Sequence, residues 1–272
     1  MSQTRFSLPG DVRGLVNRYL ELVDAALPGR IEGLYLVGST ALGDYMPGRS
    51  DVDFVAVTGE ILTVEERERL RSMHKSLGEA VALPYFDGIY VNWDHLEQNP
   101  LACRDMPFTL QGRFTSSGGF EANPSTWLTL ARYPLAVRGR AVPNVWHDRA
   151  AIRQWNVDNL NSYWRGLVQR GRSAGARVRS MASDQVVNGI LQWCVPGVSR
   201  LHYTIATGDI TSKSGACRYA LATFPDTWQV VINEALALRR GEQPVPRSRL
   251  SRRRDVLGFM EFVIDDANTR VL

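Results

Sequence analysis

Gly38-Ser-Thr-Ala-Leu-Gly-Asp-Tyr-Met-Pro-Gly-Arg-Ser50-Asp51-Val-Asp53 stands between two apolar runs, Leu34-Tyr-Leu-Val37 before it and Phe54-Val-Ala-Val57 after it. The first run reads as a buried strand that ends in a small-residue turn and opens a short helix. Backbone N–H groups at such a turn, on Gly38, Ser39 and Thr40, would face a phosphate. The second run forms a strand together with Asp51-Val-Asp53, and its period of two puts both carboxylates on one face. Two hard oxygen donors there suit Mg²⁺, which combines one or two carboxylates with substrate phosphates. An Asp-x-Asp pair alone would read as a solvated edge strand or a turn. Set in an apolar strand behind a Gly-Ser turn, the pair is costly to bury without a cation, and the stretch reads as a phosphate-and-metal site.

Composition permits this and adds limits. The 272 residues, 44% of them hydrophobic, suffice for one large domain or two ordinary ones, and two are expected. No apolar stretch approaches the ~20 residues that cross a bilayer. Met1-Ser-Gln-Thr-Arg5 lacks an apolar signal region, so a cytoplasmic protein without a membrane partner is expected. Cys103, Cys194 and Cys217 are far apart and form no Cys-x-x-Cys pair, which points to core thiols rather than a disulfide framework or a zinc site. His74, His95, His147 and His202 show no metal-ligand spacing. Of the 32 basic residues only Lys75 and Lys213 are lysines. The run Arg247-Ser-Arg-Leu-Ser-Arg-Arg-Arg254 has no interleaved aromatic residue and is followed by Asp255 and Glu261. It reads as a solvated loop leading into the last helix, and no nucleic-acid partner is expected.

The remaining N-terminal half alternates helical and extended patterns. Asp11 is placed to cap a helix over residues 12–26, whose Val12, Leu15, Val16, Tyr19, Leu20 and Val23 recur at helical spacing. Thr63 and Glu66 form a Thr-x-x-Glu capping box for a helix running to about Leu77, with Gly78 near its end. Phe86-Asp-Gly-Ile-Tyr-Val-Asn92 reads as a third strand. A third acid near a cation-holding pair can accept the proton of a hydroxyl nucleophile or join the metal ligands, and Asp87 is that candidate. A turn residue at a strand start, helped by Gly88, is the other reading of Asp87.

From about Asp148 the chain reads as helical. Ile152, Trp155, Leu160, Trp164 and Val168 lie at near-helical intervals, the tryptophans as core residues. Residues 184–206 form another apolar helix, expected to break or kink at Pro196-Gly197 and so to shape a pocket. Asn123-Pro124 and Pro143 read as punctuation of a connector between two domains.

Gly38-Ser39, then Asp51-Val-Asp53, then a lone acid on a later strand resembles the nucleotidyltransferase superfamily that includes DNA polymerase β and kanamycin nucleotidyltransferase. The likeness is strongest to its streptomycin/spectinomycin adenylyltransferases. Arg200-Leu-His-Tyr-Thr-Ile-Ala-Thr-Gly208-Asp-Ile-Thr-Ser-Lys213-Ser-Gly-Ala216 is similar to that group's Arg…Tyr…Thr-Gly…Lys…Ala pattern, and Glu234-Ala235 with Gly241 to its closing helix.

The resemblance implies an α+β chain: a polymerase-β-like nucleotidyltransferase domain with a mixed sheet over residues 1–147, and an α-helical bundle over 148–272. ATP and Mg²⁺ would bind between them, and AMP would pass to a hydroxyl of a small-molecule aminoglycoside or aminocyclitol; a monomer is expected. Gly38, Ser39, Thr40 and Ser50 would contact the triphosphate, Asp51 and Asp53 would hold the metal, and Asp87 would be general base, metal ligand or both. Arg200, on a helix, and Lys213, in the loop after it, would close on the phosphates. The group usually has Glu as base where this chain has Asp87, and a closing-helix tyrosine aligns with Arg239. The Trp and Asp with which streptomycin-competent members hold that drug fall near Met181 and Val186, so the resemblance favours spectinomycin. Asp94, Asp158 and Asp184 are candidates for holding a cationic drug. The alternatives are transfer to another small molecule, a protein or tRNA, or an idle relative that binds nucleotide without turnover.

Overall fold

A computed structural model describes residues 8–173 and 183–270; Met1-Ser-Gln-Thr-Arg5 and Met181 lie outside them. The chain divides into two compact units, Met1–His147 and Asp148–Leu272. No described helix is long and apolar enough to cross a membrane.

Unit 1 is built on a six-stranded sheet in the order β5-β4-β3-β2-β1-β6. Its strands are β1 (Ile31–Leu36), β2 (Val52–Thr58), β3 (Phe86–Asn92), β4 (Phe108–Leu110), β5 (Arg113–Thr115) and β6 (Leu135–Arg138). Only β2 and β3 pair in parallel; every other pairing is antiparallel, so the sheet is mixed. Alternation along β2 and β3 divides the core in two. Phe54, Ala56, Phe86 and Tyr90 pack with Val12, Leu15, Tyr19 and Val23 of α1 (Gly10–Ala26) and with Leu70, Met73 and Leu77 of α3 (Val64–Ala80). On the opposite face Val55, Val57, Ile89 and Val91 pack with Leu96 of α4 (Trp93–Leu96) and with Trp127 and Leu130 of α5 (Pro124–Arg132). Between β1 and β2 lies the four-residue helix α2, Gly38–Ala41.

Local signals account for most of these boundaries. Both halves of the Thr63–Glu66 capping box form, the Glu66 amide donating to Thr63 Oγ1 at 3.2 Å and the Thr63 amide to Glu66 Oε2 at 2.9 Å. The helix runs through Gly78, which does not take up the left-handed conformation of a helix-ending glycine, to Ala80. Asp11 is not the cap of α1. The helix begins at Gly10, two residues earlier and behind Pro9, and Asp11 sits in its first turn, taking the Val12 amide at 2.9 Å and the Tyr45 hydroxyl at 2.6 Å. It thus ties the loop after α2 to α1. Asn123-Pro124 opens α5 instead of punctuating a connector: Asn123 Oδ1 accepts the Ser125 and Thr126 amides, each at 3.0 Å, and Pro124 takes the first helical position.

A buried polar chain crosses the α1/α3 layer. The Tyr90 hydroxyl lies 2.9 Å from the Tyr19 hydroxyl and 2.7 Å from His74 Nε2. Burial pushes the His74 imidazole from 6.5 down to about 3. An unfolded chain therefore takes up a proton between pH 6.5 and about 3 that the folded chain refuses, so the neutral ring's stabilisation is complete above 6.5 and lost as pH falls. We expect stability to fall by up to about 1.4 kcal/mol per pH unit in this window from this residue alone. Urea unfolding at stepped pH checks this: the slope between pH 6.5 and 5 should be shallower in His74→Phe, whose ring can keep the stacking on Phe114.

The described secondary structure of unit 2 is helical. Asp148 caps α6 (Arg149–Asn159), accepting the Ala151 amide at 2.8 Å, and a π-helical turn over Leu160–Trp164 joins it to α7 (Arg165–Arg172). Then come α8 (Asp184–Thr207), α9 (Lys213–Thr223), α10 (Gln229–Arg240) and α11 (Arg249–Thr269). Trp164 is in the core as expected, while Trp155 is half-buried. No break occurs at Pro196-Gly197; α8 continues through both residues. Packing outweighs propensity here. Val195 and Val198 are fully buried, and a Cβ on Gly197 would come within 2.2 Å of the Trp164 ring.

The arginine run is not a solvated loop. From Arg249 onward it forms the first turns of α11, and Arg252 reaches the buried Glu234 of α10, their side chains being 5% and 4% exposed. Arg247 binds the other Glu234 oxygen at 3.2 Å and also pairs with Asp255. Arg249 bonds Asp184 at 2.9 Å, Arg254 bonds Asp255 at 2.9 Å, and Arg253 donates to the Gly171 carbonyl.

Candidate active site

Antiparallel pairing brings the end of β1 to the start of β2, and the Val37 amide donates to the Asp53 carbonyl at 2.9 Å. Gly38 follows with φ +58°, a left-handed conformation. A Cβ on Gly38 would stand 2.0 Å from Asp53 Oδ2. The glycine is therefore needed twice, for its backbone angle and for the room the carboxylate occupies. Asp53 is half-buried, and Asp51, just before the strand, is exposed. Gly38→Ala should cost about 1–2 kcal/mol from the backbone angle alone and should displace the Asp53 carboxylate. Thermal melts and Mg²⁺-dependent ATP binding check this; binding unchanged from the native chain would remove the carboxylate from the site.

Around this pair the loop is held by its own small side chains. Ser50 closes the turn from Met46, its Oγ accepting the Met46 amide at 3.1 Å and its amide donating to the Met46 carbonyl at 2.9 Å. The Ser39 carbonyl accepts the Asp44 amide at 2.8 Å. Thr40 is buried and its Oγ1 has no hydrogen-bond partner among the described residues. No side chain caps the start of α2.

Asp87 stands beside Asp53, the two being paired across the parallel β2/β3 register and so sharing a face of the sheet. It is 6% exposed. Its Oδ2 accepts the Gln111 amide at 2.6 Å and its Oδ1 the Gly112 amide at 3.0 Å. Gln111 and Gly112 form the tip of the β4/β5 hairpin, with φ of +50° and +70°. Burial raises the Asp87 carboxyl above the ordinary range, and the two amide bonds partly oppose that rise. Nothing in the sequence pattern points to this anchor, since Gln111-Gly112 is not one of the Asn-Gly or Asp-Gly pairs that mark a two-residue hairpin. Among the described residues no group of three or more His, Cys, Asp or Glu side chains is gathered to hold a metal. The donors that fit a hard cation are the carboxylates of Asp51 and Asp53, with the Gly38 cradle leaving room for the second.

In unit 2, Arg200 lies half-buried on α8. Lys213 is the first residue of α9 rather than part of a loop, because Ser212 caps that helix by accepting the Gly215 amide at 3.0 Å. Arg239, where a tyrosine would stack, donates to Ser214 Oγ at 3.0 Å. Gly208 and Gly241 end α8 and α10 with φ of +72° and +80°. Of the acids considered for a cationic drug, Asp184 is paired with Arg249 and Arg252, and Asp158 accepts Gln154 Nε2 at 2.9 Å.

A turn cradling an aspartate at the start of β2, with a second acid in register on β3, is the arrangement expected of a nucleotidyltransferase. Residues 16–100 match the family model of the nucleotidyltransferase domain, and residues 173–265 match that of the aminoglycoside adenylyltransferase C-terminal domain. The chain thus carries a nucleotidyltransferase domain, which makes it an enzyme of that kind, and is similar to the aminoglycoside adenylyltransferases. Among solved structures it is similar to the spectinomycin adenyltransferase AAD(9) from Enterococcus faecialis, crystallised with ATP and spectinomycin. That likeness has a TM-score of 0.62 at 15% identity and covers 94% of this chain and 99% of the other. No curated protein sequence matches significantly.

Proposed function

We propose that the chain transfers AMP from ATP to a hydroxyl of an aminocyclitol or aminoglycoside, spectinomycin in preference to streptomycin, and so confers resistance. The observation that carries this is the placement of Asp87 beside Asp53, which Gly38 alone makes room for. Asp87, its affinity for a proton raised by burial, accepts the proton of the acceptor hydroxyl. The hydroxyl oxygen bonds to the α-phosphorus, the bond from that phosphorus to the β-bridging oxygen breaks, and pyrophosphate leaves. Asp51 and Asp53 would hold Mg²⁺, which when bound offsets charge on the triphosphate. The uncapped first turn of α2 supports a phosphate contact by Gly38, Ser39 and Thr40, with Ser50 fixing the loop beside it. Arg200 and Lys213 take the remaining phosphate charge in this reading.

Pyrophosphate release with ATP and Mg²⁺, measured across spectinomycin, streptomycin, other aminoglycosides and bulk tRNA, tests the proposal. Release that depends on spectinomycin and not on streptomycin is the expected result. Release with tRNA alone, or ATP binding without release on any acceptor, overturns it.

A further inference from the structure

The amides that hold Asp87 belong to a slight piece of structure. β4 and β5 have three residues each and stand at one end of the sheet, joined to it through β3 alone. The β3/β4 register covers Gly88–Thr109 and Ile89–Phe108, and the tip lies beyond it. At the tip Gln111 takes φ +50°, the left-handed region that a side chain disfavours.

Tyr85 stands against this tip. It comes two residues before Asp87 and so shares its face of the sheet, whereas Phe86 packs with α1 and α3. The Tyr85 carbonyl accepts the Val52 amide at 2.9 Å, which ties its backbone to the start of β2 between Asp51 and Asp53. A Cβ on Gly112 would lie 3.3 Å from Tyr85 Cδ1 and 3.6 Å from Cε1. One edge of the ring therefore rests on the glycine whose amide bonds Asp87 Oδ1.

The geometry points to Tyr85 as a positioning residue for Asp87, acting through Gly112; its bearing on catalysis rests on the proposed transfer. The carboxylate holds the tip through two amides, and the ring backs the tip at one of them. With the ring in place the Gly112 amide cannot tilt away on that side without moving a residue pinned to β2. Without the ring the Gly112 bond is the first to open, and the carboxylate can turn on the Gln111 bond that remains. A reacting group displaced by about 1 Å can lose about 10²-fold in rate.

Hydrogen exchange at single amides of the full-length protein reads this hold directly. In Tyr85→Ala the Gln111 and Gly112 amides should exchange about 2- to 10-fold faster, the worth of one hydrogen bond. The Gly88 amide, held by Thr109 Oγ1 at 3.0 Å at the root of the hairpin, should keep its native rate. Tyr85→Phe, which retains the ring, should restore both tip amides. In pyrophosphate release Tyr85→Ala should lower kcat by about 10-fold with KM for ATP and for the acceptor within about 2-fold of native, and Tyr85→Phe should recover kcat. Tip amides that keep their native exchange in Tyr85→Ala overturn the inference. So does an equal acceleration of the Gly88 amide, which marks a merely structural role, and so does faster tip exchange with kcat unchanged. If the native chain releases no pyrophosphate with any acceptor, the transfer reading fails, and the exchange rates alone decide whether Tyr85 holds the tip.

Discussion

Asp87→Asn is expected to lower AMP transfer by about 10²- to 10⁴-fold, the usual contribution of a positioned general base, while leaving ATP binding nearly intact. The same change should also be felt in the fold. Both Asp87 oxygens accept backbone amides of the hairpin tip, and an asparagine can offer an oxygen to only one of them. The other amide then faces an NH₂ group, at a cost of about 1–3 kcal/mol for a buried unsatisfied donor. Two measurements separate the effects. Pyrophosphate release reports the lost base, and urea unfolding reports the loosened hairpin. Asp87→Glu is the informative companion, since it keeps the charge and lengthens the side chain. Transfer by Asp87→Asn at the native rate would reassign Asp87 to a purely structural role.

The largest effect on stability is expected at the buried ion pair of unit 2. Glu234→Leu leaves the Arg252 guanidinium in a nearly dry setting with Asn188 and, at 3.7 Å, Asp184 for company. Breaking such a pair from one side costs about 3–5 kcal/mol, because a charge stays buried without its main partner. Glu234→Leu combined with Arg252→Met should recover a large part of that loss, since neither charge then needs solvating. Chemical denaturation of the two single variants and the double variant decides it. A double variant whose destabilisation equals the sum of the two would show that the side chains act independently.

How much was legible beforehand follows from the range of each interaction. The strand over Phe86–Asn92 has the bounds read from its aromatic and β-branched residues, and the capping box at Thr63 and Glu66 closes as read. The Gly38 turn and Asp53 were likewise legible, because turn and strand lie within one short stretch, whereas Asp51, read as part of the strand, stands just before it and is exposed. The anchoring of Asp87 was not. Its partners Gln111 and Gly112 lie 24 and 25 residues away, across a strand pairing that no local pattern specifies. The arginine run misled for the opposite reason. Its composition is that of a solvated segment, but the packing of α10 against α11 places Glu234 beneath Arg252. At Pro196 the expected break does not occur, and the helix continues past it beside the fully buried Val195 and Val198.

The hairpin's hold on Asp87 bears on the choice of acceptor. A carboxylate fastened through both oxygens, one methylene shorter than a glutamate, cannot swing out to meet its partner. The hydroxyl has to be delivered to it, and the energy for that delivery comes from the rest of the acceptor molecule. In the proposed transfer such a mount would favour a compact, rigid ring system that carries its hydroxyl in a fixed direction, and would penalise a long flexible one that must be frozen on arrival.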